Sequence, residues 1–67
     1  MQGTIKRLIR DRGFGFIRAD DGQEVFFHRS SLRGVNFDGL REGEKVEFEL
    51  EKGNKGLRAN NVRAAAS

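Results

Sequence analysis

Sixty-seven residues, 36% apolar and 34% charged, make one small domain with a thin core; that apolar share is too high for a disordered tail. The chain has no cysteine and one histidine, which excludes a disulfide scaffold, a thiolate zinc site, cysteine catalysis and a multi-histidine metal centre. The formal charge of +3 is unevenly placed: residues 1–33 carry seven Lys or Arg against four acids, and residues 34–67 carry six of each. A basic half attracts polyanions. No apolar run approaches the ~20 residues of a membrane span, and no signal peptide opens the chain. The expectation is one domain over residues 1–67, ordered across about 2–63, cytoplasmic and without contact to a membrane.

Glycines divide the chain into short segments, and five of these read as strands. The first covers residues 3–9 and ends in a polar turn at 10–13. The second covers 14–19 and is closed by Asp20-Asp21-Gly22, a hairpin signal because glycine tolerates positive φ. The third covers 24–28. Ser30 and Ser31 are placed to cap a single helical turn over 29–33. A glycine-rich loop runs through 34–43. In the fourth strand Val46, Phe48 and Leu50 alternate with Glu47, Glu49 and Glu51, which predicts apolar side chains inward and an acidic stripe outward, away from any polyanion. Gly53-Asn54-Lys55-Gly56 is a turn, 57–63 the fifth strand, and Ala64 to Ser67 a frayed tail. Five short strands with tight turns predict an all-β barrel, closed or nearly so, because closure removes exposed edges.

Strand alternation poses a choice. Phe14 and Phe16 share one face, Gly15 and Ile17 the other; Phe26 and His28 share one face, Val25 and Phe27 the other. If Ile17, Val25 and Phe27 are the core, then Phe14, Phe16, Phe26 and His28 lie outside, framed by Arg12, Arg18 and Arg29. The reverse assignment buries the three rings with His28, and composition does not choose between them. An outer platform of this kind has a physical use, since bases stack on aromatic rings while cations hold phosphates. Gly13 and Gly15 beside the rings would then let a strand approach closely.

Arg12-Gly13-Phe14-Gly15-Phe16-Ile17 resembles the first ribonucleoprotein motif, and Val25-Phe26-Phe27-His28 resembles the second as cold-shock domains carry it. The RRM fold shares these motifs but places the first on its third strand, after a helix; here it begins at residue 12. Gly3-Thr4-Ile5-Lys6, Asn36-Phe37-Asp38-Gly39-Leu40, Glu42-Gly43-Glu44-Lys45-Val46-Glu47-Phe48 and Gly56-Leu57-Arg58-Ala59-Asn60-Asn61-Val62 resemble further cold-shock segments in order. The resemblance implies a five-stranded antiparallel OB-fold barrel and a protein that binds single-stranded RNA and ssDNA, a monomeric RNA chaperone with no cofactor, metal or small-molecule substrate.

Carried onto this chain, the resemblance implies stacking on Phe14, Phe16, Phe26 and His28, with Phe37 a further stacking residue on the long loop. It implies phosphate or base-edge contacts from Lys6, Arg12, Lys55 and Arg58. Arg7 and Arg29 stand where the family usually places aromatic rings, Leu8 where it places Phe, and Leu57 where it places Pro. The platform is therefore smaller and more cationic than usual, although a guanidinium plane also stacks on bases. His28 has no acyl-transfer partners, so no enzymatic activity is expected. The alternative function is a protein-interaction OB domain whose aromatic patch docks a partner.

Overall fold

The computed structural model describes residues 1–53 and 56–65. They form five strands, β1 (Gln2–Ile9), β2 (Phe14–Ala19), β3 (Glu24–His28), β4 (Lys45–Gly53) and β5 (Gly56–Ala64), with 3-10 turns at Arg29–Ser31 and Phe37–Gly39. The strands close into a barrel in the order β1-β2-β3-β5-β4. Neighbours pair antiparallel except β3 and β5, which close the barrel in parallel through Phe26 and Arg58. The turn expected at Asn54 and Lys55 lies outside the described residues; Gly53 pairs with Gly56 at the end of the ladder.

The β2–β3 hairpin forms where Asp-Gly predicts it. Gly22 adopts φ 92° and donates to the Ala19 carbonyl at 2.8 Å, and the Ala19 N–H reaches the Gln23 carbonyl at 2.8 Å. The pairing of Phe16 with Phe26 and of Ile17 with Val25 then fixes which side chains share a face.

Ile5, Ile17 and Val25 form one inward row across β1, β2 and β3, and Leu8, Gly15 and Phe27 form the next. Ile17, Val25, Val46 and Val62 are fully buried, with Phe27 and Phe48 nearly so. Each such side chain is worth about 1.5–3 kcal/mol of transfer free energy. Inward Ile5 and Leu8 are three residues apart, which strict alternation forbids. A β-bulge between Ile5 and Arg7 resolves this, inserting Lys6 as the extra residue.

Leu50 keeps the alternation of β4, lying opposite buried Ala59, but is 39% exposed. A second bulge lies between Glu47 and Glu49, where β5 supplies the extra residue around Asn61 at φ 51°. A bulge bends the pair and strengthens its twist, so β4 stops contributing to the core beyond Phe48.

Candidate nucleic-acid interface

Phe14, Phe16 and Phe26 stand on the outer face of β2 and β3, half-buried, while Ile17, Val25 and Phe27 lie beneath. The inward assignment of Ile17, Val25 and Phe27 is the observed one. The outer rings are less exposed than a free platform because they shelter one another. Phe14 and Phe26 have centroids 5.4 Å apart at 39°, and Phe16 lies 6.0 Å from each at steep angles. Such edge and tilted pairs add about 0.5–1.5 kcal/mol beyond area burial and hold the rings in place.

The register sets two outer rows. One runs Ile9, Phe14, His28; the other runs Arg7, Phe16, Phe26, Arg58, so that a guanidinium-bearing residue stands at each end of a phenylalanine pair. Phe16, Phe26 and His28 line an open cleft of about 770 Å³ with Leu57, Arg58 and the two glycines that end β4 and begin β5. Its lining is mainly apolar, as stacking requires.

His28 is half-buried and ends β3. Its Nδ1 accepts from the Ser30 N–H at 3.1 Å and lies 2.9 Å from the Ser30 hydroxyl. The imidazole thus caps the 3-10 turn, a role expected of the serines. An accepting Nδ1 assigns the proton of neutral His28 to Nε2, leaving that nitrogen as the donor.

Gly15 is required by packing and Gly13 by its backbone conformation. Gly15 faces inward, where a Cβ would lie 2.6 Å from the Arg7 carbonyl and 2.8 Å from the Phe27 ring. Gly13 adopts φ 73° beneath the stem of Arg29, whose Cδ would lie 3.0 Å from its Cβ. Arg29 also donates its N–H to the Gly13 carbonyl at 2.9 Å, which joins the end of β3 to the β1–β2 turn.

Phe37 does not join the outer rings. It is 8% exposed, packs in the core, and its centroid lies 6.3 Å from that of Phe27. The reason is a contact that no sequence spacing announces. Arg10, in the turn after β1, donates to the Asp38 carbonyl at 3.0 Å and the Leu40 carbonyl at 2.7 Å, fastening the loop that carries Phe37.

Lys6 is exposed and ion-paired with Glu24 at 2.8 Å. A pair this open to water is worth little, so a phosphate can take its place. Arg7, Arg12, Arg29 and Arg58 are exposed and make no side-chain hydrogen bond or ion pair among the described residues. Lys55 lies outside the described residues. The acidic stripe is engaged along β5: Glu47 with Arg63 at 2.9 Å, Glu49 with Asn61, and Glu51 with Asn60. The hydrogen bond and charge of Arg63 hold the Glu47 carboxyl below its ordinary range.

The 'Cold-shock' DNA-binding domain model matches residues 1–65 of the chain. Cold shock protein CspC of Bacillus subtilis is 44% identical over 64 residues, covering 96% of this chain and 97% of its own length. Cold shock-like protein CspA of Stigmatella aurantiaca is 49% identical over 63 residues, covering 92% and 93%. The solved structure of drosophila Unr CSD456 matches with a TM-score of 0.77 and 28% identity over 97% of this chain, which spans 26% of that larger one. On a closed five-stranded barrel with both ribonucleoprotein motifs on adjacent strands, these likenesses agree, and the chain belongs to the cold-shock DNA-binding domain family of nucleic-acid-binding OB-folds.

Proposed function

We propose that this chain binds single-stranded RNA and DNA by stacking unpaired bases on Phe14, Phe16, Phe26 and His28, and that Lys6, Arg7, Arg12, Arg29 and Arg58 contact phosphates or base edges. The observation that carries this reading is the three mutually packed rings on the outer face, centroids 5.4–6.0 Å apart, beside arginines without acidic partners among the described residues. Every base has a π-face, so such a platform accepts many sequences.

Binding of this kind needs no chemistry. It draws RNA toward its unpaired state because only that state offers base faces, and a ligand shifts an equilibrium by its differential affinity. The protein acts as a monomeric RNA chaperone without cofactor, catalysis or small-molecule substrate. Phe37 takes no part while its loop is fastened, and Lys55, which the family resemblance marks as a phosphate contact, adds one.

The test is titration with single-stranded and duplex oligonucleotides of one sequence at two salt concentrations. The single strand binds tighter, and affinity falls with salt at about 0.7 log units per phosphate neutralised, per log unit of salt. Absence of single-strand binding at low salt overturns the reading. A ligand bound with no dependence on salt points instead to an apolar protein-docking face.

A further inference from the structure

We infer that Arg7 makes the binding face selective for guanine at the base that stacks on Phe16. The inference rests on the single-strand reading above and concerns which base is preferred.

Arg7 owes its place to the β1 bulge. The extra residue, Lys6, puts Arg7 opposite Phe16, on the outer face, while Leu8 turns inward opposite Gly15. The acids nearest to β1 by hydrogen bond are already engaged: Glu24 accepts from Lys6 at 2.8 Å, and Glu42 accepts from the Leu8 N–H at 3.3 Å. Arg7 is exposed and has no side-chain partner among the described residues. Its donors are therefore available to a ligand.

A base is wider than a phenyl ring, and adjacent strands are about 4.8 Å apart. A base stacked on Phe16 accordingly extends an edge toward β1 and Arg7. On the other side Phe26 continues the apolar floor, 6.0 Å from Phe16 between centroids, so stacking room lies there and hydrogen-bonding capacity lies at Arg7.

The guanidinium is a planar fork with donors but no acceptor. It pairs bidentately with two adjacent acceptors and is mismatched to an edge that interleaves a donor. Guanine offers O6 and N7 side by side. Adenine sets an amino donor beside N7, and thymine and uracil place an N–H between their carbonyls. Unpaired cytosine has adjacent acceptors in O2 and N3, but its single ring covers less of Phe16 than a purine does. Guanine alone combines the larger ring with the matching edge. Lysine at this place would supply charge without the fork.

The experiment measures affinity for heptathymidine strands in which one guanine, or one adenine, is moved through each position in turn, for wild type and Arg7→Lys. The wild type binds its best guanine strand about tenfold tighter than the matching adenine strand, the size of one bidentate base contact. Arg7→Lys removes most of that preference and keeps the dependence on salt. Equal affinity for the guanine and adenine strands, or a preference that survives Arg7→Lys, overturns the inference and leaves the single-strand reading standing. Failure of every strand to bind at low salt overturns the single-strand reading itself, and the inference with it.

Discussion

Phe26 and Phe27 are the same residue, one peptide apart, and the barrel uses them oppositely. Phe27 is 1% exposed and packs with Phe37 under the β2–β3 hairpin. Phe26 sits on the outer face within 6.0 Å of Phe14 and Phe16. The difference comes from strand alternation alone: the inner ring is held by the fold, and the outer ring is held by other rings and left partly open. Aromatic content by itself therefore does not separate a core from a binding face; register does.

The largest effect that sharpens this contrast is expected from Phe27→Ala. Truncating a fully buried ring costs about 3–5 kcal/mol, against a typical total of 5–15 kcal/mol for a folded domain. Denaturant titration should show a barrel near or past its limit of stability.

Phe16→Ala should act on the other side of the contrast. It removes one stacking surface, worth about 1–3 kcal/mol of binding, roughly a five- to hundredfold loss of affinity for oligothymidine. Its unfolding midpoint should move far less than that of Phe27→Ala. Equal destabilisation by the two changes would show that the faces are not distinct.

Gly15→Ala tests the close packing between β1 and β2 directly. Its Cβ would meet the Arg7 carbonyl at 2.6 Å and the Phe27 ring at 2.8 Å. Overpacking of this kind typically costs about 1–3 kcal/mol, read as a lower unfolding midpoint. A glycine needed only for ligand approach would instead lose affinity at unchanged stability.

The smallest effect concerns β4 and β5, away from the rings. Arg63 holds the Glu47 carboxyl below its ordinary value. A carboxyl lowered on folding contributes stability that is present above its unfolded pKa and is lost as pH falls through its folded pKa. Stability should therefore dip slightly on acidification below the ordinary carboxylate range, and Glu47→Gln should reduce that dip. Both groups are open to water, so the effect is smaller than any above. Unfolding midpoints of the two proteins across an acid series check it.

The sequence carried the hairpin most clearly. Residues 14–19 and 24–28 were legible as strands to the residue, because Gly13 and Asp21-Gly22 punctuate them and Ile17, Val25 and Phe27 repeat at the right spacing. The two bulges were not legible. The advance from Ile5 to Leu8 breaks a period of two, but no residue type marks Lys6 as the insertion, and Asn61 reveals its positive φ only once paired with β4. The burial of Phe37 was not legible for a related reason. Its motif reads as a stacking residue on a loop, whereas its burial depends on the Arg10 latch and on space beside Phe27, both long-range facts. Gly15 likewise looks like an opening for a ligand until the Phe27 ring is seen beneath it.

The central claim is that the outer rings bind single strands and that the barrel folds without them. The measurement that tests it most directly is the affinity of a variant carrying both Phe16→Ala and Phe26→Ala for a single-stranded heptathymidine at low salt, with its unfolding transition followed in the same buffer. The expected result is a still cooperative unfolding transition, its midpoint lowered by the lost ring pairs but by less than in Phe27→Ala, and an affinity reduced by at least tenfold, below the additive range of two stacking losses of about 1–3 kcal/mol each. An unchanged affinity in a folded variant would contradict it.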